Sequence, residues 1–190
     1  MLKHLNELTR MDWFFTKPWI LLGTGPSLDN FDYQKYKGTH NIAAVYDAAY
    51  ACESVDIHFI ADKQAFEWIK PKGKVATRII NTNRNNDNTY FWEYDCDFLI
   101  TGQTESLFIG EPVYRCSNSS SFVVMWMGML GIKNLLTCGI DGGMGFSKWV
   151  SKEYYDISIK DLIKLNMTFD DENQGVFGHA ANFGIKLEKI

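Results

Sequence analysis

The sequence predicts an α/β protein, a single Rossmann-like nucleotide-binding domain over residues 1–190 with a mainly parallel sheet and helices on both faces. Three observations predict it. Short continuous apolar runs closed by Gly or Asp read as strands buried on both faces. Segments with helix signals alternate with them, the order of βαβ units. Polar candidate residues then collect at the carboxyl ends of those strands, where such sheets bind ligands. A chain of 190 residues, 46% hydrophobic and 15% aromatic, is long enough to bury the core this requires.

The elements follow in chain order. Residues 1–18 form an N-terminal arm in which Leu2, Leu5 and Leu8 recur at helical spacing, and Pro18 ends any helix. Trp19-Ile20-Leu21-Leu22, closed by Gly23, is the first buried strand. Asn41–Val45 and Ile57–Ala61 are the next two, joined by a short helix within Asp47–Ser54. Lys74–Ile80 carries β-branched residues and reads as a fourth strand, Asn81–Asn88 as a polar loop and Asp97–Ile100 as a further strand. Ser117-Asn118-Ser119-Ser120-Ser121 offers several caps to a helix from about Ser120 to Leu130 that is apolar nearly all round and therefore buried. Gly131 stops it, and Leu135–Ile140 returns as a strand ending at Asp141. Residues 170–172 and 175–179 read as loops.

Composition excludes several classes. A formal net charge of −4 with scattered Lys and Arg leaves no footprint for nucleic acid. Cys52, Cys96, Cys116 and Cys138 form no Cys-x-x-Cys pair, so they read as reduced, mostly buried thiols rather than a zinc or redox site. No stretch approaches the ~20 apolar residues of a membrane span and no export signal opens the chain, so a cytoplasmic protein without membrane contact is expected. A homo-oligomer stays open.

Gly23-Thr24-Gly25-Pro26-Ser27 follows the first strand, so a phosphate could approach its backbone, Pro26 suits a first helical turn, and Ser27 adds a hydroxyl. It is neither a complete Gly-x-Gly-x-x-Gly nor a Walker loop, and a tight connection is the competing reading. Asp47 and Asp62 end strands, where they could bind a ribose, a base or a divalent ion, or cap the following helix. Ser119 to Ser121 cap a helix whose N-terminus can also hold a ligand. His179, flanked by glycine in Gly175-Val176-Phe177-Gly178-His179, is the histidine placed to act as acid or base.

These residues resemble the small bacterial sialyltransferases that use CMP-sialic acid, and the related Rossmann-like family of 6-hydroxymethylpterin diphosphokinase-like proteins. The resemblance rests on Trp19 to Leu28, on Ser119 to Gly139-Ile140-Asp141, and on Gly178-His179-Ala180-Ala181-Asn182, about half of the chain. It implies that Thr24, Gly25 and Ser27 approach the nucleotide phosphates and that Ser119 touches the nucleotide, with Gly23 and Asp141 counted in the same nucleotide-binding site. It also implies that Asp47 and Asp62 stand where the sialyltransferases have asparagines, and that His179 is the catalytic base. The asparagine-to-aspartate change puts carboxylates near a phosphate, which favours a cation or a different nucleotide. The tyrosines that steady the leaving phosphate in the sialyltransferases are replaced by Gly142-Gly143-Met144-Gly145, with Tyr154 and Tyr155 later as substitutes.

The expected function is a glycosyltransferase-like enzyme moving a sugar, sialic-acid-like by the resemblance, from a nucleotide-sugar donor to an acceptor with no required cofactor. The alternatives are a Mg²⁺-dependent diphosphokinase-like phosphoryl transferase using Asp47, Asp62 or Asp141, and a nucleotide-binding module without turnover.

Overall fold

The structure is a computed structural model that describes residues 3–60, 65, 68–79, 98–101, 118–142, 145–165 and 169–190. Eight strands lie among the described residues: β1 (Lys3–His4), β2 (Trp19–Leu22), β3 (Asn41–Val45), β4 (Ile57–Ile60), β5 (Lys74–Ile79), β6 (Phe98–Thr101), β7 (Asn134–Cys138) and β8 (Lys186–Lys189). They form one sheet in the order β1-β6-β5-β4-β3-β2-β7-β8, and every adjacent pair is parallel. Among the described residues the helices with defined bounds are α1 (Tyr33–Tyr36), α2 (Ser119–Met129), α3 (Lys152–Leu165) and α4 (Phe169–Phe183), with short 3-10 turns between elements. The α/β class expected from the apolar runs is the fold observed.

Residues alternate faces along a strand, so a strand buried on both faces must feed two cores. β2 does so. Trp19 and Leu21 join a cluster containing Val45, Phe59, Trp126, Val176 and Ala180, while Ile20 and Leu22 join another containing Leu28, Tyr33, Ala48 and Cys138. α2 and α4 cover the first face, and α1 with its neighbouring turns covers the second. α2 and α4 approach closely at Gly128, where a Cβ would lie 2.6 Å from Phe183 Cβ.

The order of strands fixes where a ligand can sit. From β2 the chain steps outward through β3, β4, β5 and β6, then crosses back to place β7 on the opposite side of β2. The connections leaving β2 and β7 diverge over the two faces, and a crevice opens between them at their carboxyl ends.

Several expectations are corrected. The N-terminal arm packs through Leu8 and Phe14 but as β1 followed by 3-10 turns at Leu5–Arg10 and Asp12–Phe15, since pairing of Lys3 and His4 with β6 takes the first described residues out of any helix. Residues 170–172 and 175–179, read as loops, lie within α4, whose buried Val176 and Ala180 anchor it on the core despite the helix-weakening glycines. The loop expected at Asn81–Asn88 lies outside the described residues. No helix among the described residues is long and apolar enough to cross a membrane.

Candidate functional site

The glycine-rich turn after β2 is built against the end of β7. Gly23 N–H donates to the Cys138 carbonyl at 2.8 Å and Gly25 N–H to the Gly139 carbonyl at 2.7 Å. Ser27 N–H donates to Asp141 Oδ2 at 2.7 Å, and Ser27 Oγ accepts from Gly139 N–H at 2.8 Å. The sequence places close backbone approach here correctly, but the approaching group is the neighbouring turn. The amides of Gly23, Gly25 and Ser27 are consumed by it, so the expectation that Gly25 and Ser27 aim N–H groups at a phosphate is corrected.

Above this junction lies an open cleft at the carboxyl edge of the sheet. Thr24 and Gly25 from the β2 turn, Tyr46 after β3, Ile140 and Asp141 after β7, and Asn118, Ser119 and Ser120 at the start of α2 line it, joined by Phe146, Tyr154 and Asn173. It therefore occupies the crevice that the strand order predicts. Asn118 caps α2 through its side-chain oxygen, which accepts from Ser121 N–H at 2.7 Å, and Ser121 Oγ completes the reciprocal capping box. The first-turn amides of Ser119 and Ser120 lie outside that cap, at the positive end of an eleven-residue helix, which suits an anion.

The rest of the lining is tied together by side chains. Asn173 of α4 donates from Nδ2 to the Asp141 carbonyl at 2.8 Å. Burial pushes the Asp141 carboxyl up, but the Lys189 ammonium bonded to its Oδ1 and the Ser27 N–H outweigh it and hold its pKa below the ordinary carboxylate value. Asp141 thus enters the cleft ionised and already neutralised by Lys189. Ser119 Oγ donates to the Tyr46 phenol oxygen at 3.2 Å, and the rings of Tyr46 and Tyr154 stand 4.9 Å apart.

The site gathers some of the expected residues and leaves out others. Thr24, Gly25, Ser119 and Asp141 line the cleft, whereas Gly23, Ser27, Asp47 and His179 do not. Asp47 is fully buried in the 3-10 turn after β3, where its Oδ2 accepts from Ser151 N–H at 2.7 Å ahead of α3. Its carboxylate therefore does not stand beside a phosphate in the cleft. His179 lies in α4 rather than on a loop and is 5% exposed. α4 leads into β8, which is parallel to β7, so α4 runs from the carboxyl edge of the sheet toward the amino edge. His179 is six residues beyond Asn173, about 9 Å farther from the cleft along the helix axis. Asp62 lies outside the described residues.

Sequence reading missed Tyr46, Asn118 and Asn173 as lining residues. Asn118 was legible as one of several caps, and Tyr154 enters as the substitute tyrosine the resemblance offered. Nothing in the pattern around Tyr46 or Asn173 marks either. Of the two described carboxylates named for Mg²⁺, Asp47 is outside the lining and Asp141 is already bonded to Lys189 and Ser27, so these two do not share a metal position. No group of three or more His, Cys, Asp or Glu able to hold a metal occurs among the described residues.

His58 beneath the cleft is fully buried, and burial pushes its pKa down to about 4, against the partial upward effect of its bond to the Tyr46 carbonyl. The unfolded chain, with His near 6.5, takes up the proton first. The stabilisation from the neutral imidazole is therefore complete above about pH 6.5 and lost as pH falls toward about 4, about 3 kcal/mol in all. Urea unfolding across that range should show the loss in the wild type and its absence in His58→Gln. Parallel pH profiles for the two proteins would refute the assignment.

No protein-family model and no curated protein matches the sequence. Among solved structures, the fold recurs in the sialyltransferase CstII in complex with a trisaccharide acceptor and CMP. That structure has 16% identity and a TM-score of 0.56, covering 91% of this chain and 80% of the other. CstII from Campylobacter jejuni in complex with the substrate analogue CMP-3FNeuAc has 17% identity and a TM-score of 0.56, with 92% and 81% covered. An α-2,3-sialyltransferase from Campylobacter jejuni in apo form has 13% identity and a TM-score of 0.51, with 92% and 76% covered. At these identities the likeness establishes a sialyltransferase-like fold. The diphosphokinase-like half of the sequence resemblance has no counterpart in these three structures.

Proposed function

We propose that the cleft binds a nucleotide-activated sugar of the CMP-sialic-acid type, and that the chain is a glycosyltransferase-like enzyme transferring the sugar to an acceptor hydroxyl. The observation that carries this reading is the convergence of the α2 N-terminus, with Ser119 and Ser120, on Thr24 and Asp141 at the β2/β7 crevice. Such a helix end stabilises a phosphate in the bound donor and, more strongly, the charge that builds on it as the glycosidic bond breaks. Tyr46 and Tyr154 supply phenols beside it, in the role the resemblance assigns to the missing tyrosines. The CMP, donor-analogue and acceptor complexes of the structurally similar enzymes support the choice of donor. A thermal-shift panel of CMP, UDP, GDP and ATP, with and without Mg²⁺, should show stabilisation by CMP independent of the cation. Selective stabilisation by ATP with Mg²⁺ would instead favour phosphoryl transfer.

The placement of His179 favours a second reading, binding without turnover. The chain contains four histidines, His4, His40, His58 and His179, and none belongs to the described cleft lining. Substitution of His179 separates the roles. A general base would lose about 10²–10⁴-fold in turnover at unchanged donor affinity. A buried helix residue instead loses about 1–3 kcal/mol of stability while the folded fraction turns over as before. For His179→Ala we expect the second result. Measured CMP-sugar turnover beside CMP binding then decides between transferase and binding module.

A further inference from the structure

Tyr46 is the one described residue other than glycine with a positive φ, at 46°. For a bulky side chain this backbone state is a marked outlier, and such strain persists only where its surroundings hold it. The ring so placed lines the cleft, accepts the hydroxyl of Ser119 at 3.2 Å and packs on Tyr154. It joins the end of β3 to the N-terminus of α2 and to α3. Its carbonyl accepts from Nε2 of His58 at 2.7 Å. His58 Nδ1 accepts the backbone N–H of Lys72 at 3.3 Å, which puts the imidazole proton on Nε2 and makes it the donor to Tyr46. A fully buried histidine is thus committed through both ring nitrogens, one of them to the strained peptide.

We infer that His58 is a positioning residue for ligand binding: its bond to the Tyr46 carbonyl holds that residue left-handed and thereby directs the phenol to the ligand's anionic group beside Ser119. The ligand part of this inference rests on the nucleotide reading above. The His58–Tyr46 geometry does not. Glycine would meet the backbone requirement at position 46 without strain, but it would leave the start of α2 without the phenol.

Two measurements test the inference. Crystal structures of the wild type, His58→Gln and His58→Leu should show Tyr46 at positive φ in the first two, since glutamine retains a donor near the Nε2 position. In His58→Leu, Tyr46 should relax to negative φ and leave Ser119; retention of both features there would overturn the positioning role. Calorimetry with CMP at fixed pH is the second arm. Tyr46→Phe and His58→Leu should each weaken CMP binding by roughly 10–100-fold, the range for a hydrogen bond to a charged group. The double variant should lose no more than either single one, and His58→Gln should regain most of the affinity. If His58→Leu does not fold, His58→Asn takes its place, since its shorter amide leaves no donor at the Nε2 position. It should show the same relaxation of Tyr46 and the same loss of affinity; retention of both the positive φ and the affinity would overturn the positioning role. Wild-type CMP affinity in Tyr46→Phe would overturn the phenol contact alone, whereas a wild type that binds no CMP would remove the donor reading together with that contact.

Discussion

Truncating Trp126 to alanine should lower the free energy of unfolding by about 3–5 kcal/mol, the range for removing a large aromatic from a packed core. Trp126 is fully buried in α2. Its ring meets Phe14 of the N-terminal arm at 5.6 Å and Phe59 of β4 at 5.8 Å, both edge-on. One side chain therefore joins the arm, the helix and the sheet, and no single neighbour can move to fill the space without leaving another contact. For a chain of this size the loss corresponds to a fall in Tm of about 6–20 °C. Chemical denaturation of the variant, with its m-value checked against the wild type, measures it. A loss below about 1 kcal/mol would show that α2 does not pack as described.

The legibility of the sequence followed the strength of local signals. β2, β3 and α2 were legible because their apolar runs have no polar interruption and are bounded by Gly23, by Asp47, and by the serine-rich cap and Gly131 respectively. α4 was not, because Gly175 and Gly178 argue locally for a loop while burial of Val176 and Ala180, a tertiary fact, decides for a helix. β8 was missed for a related reason. Lys186, Glu188 and Lys189 are exposed on an edge strand, where charge discourages further pairing but also hides the strand from a reading based on apolar runs. The site divides in the same way. The carboxyl edge, the serine-capped helix and the Gly-Ile-Asp end of β7 were visible, whereas the phenol of Tyr46 enters through a backbone state that no residue pattern announces. His179 was read on a loop because glycines precede it, whereas it lies within α4.

The second large effect concerns Gly139, where Gly139→Val should cost about 4 kcal/mol or more and abolish with it the CMP binding proposed for the cleft. Two penalties coincide at this residue. Its φ of +71° is unfavourable for any L side chain and worst for a β-branched one, and an added Cβ would press against the carbonyl oxygen of Gly23. The β2 and β7 turns interlock here through the bonds of Gly23 and Gly25, so relief requires the two strands to separate at the floor of the cleft. Gly25 shares the constraint in milder form: a Cβ there would lie 2.7 Å from Asp141 Oδ2. The bond between Ser27 and Asp141 would then be disturbed before any ligand arrived. Gly178 is the control. It lies within α4 and an added Cβ meets nothing within 4 Å, so Gly178→Ala should stabilise the protein by about 0.5–1 kcal/mol. Thermal denaturation of both variants, with CMP binding measured on the folded fraction, checks the contrast. A Gly139→Val protein as stable as the wild type would mean that the two turns do not interlock, and the cleft would lose the floor on which Thr24 and Asp141 are set.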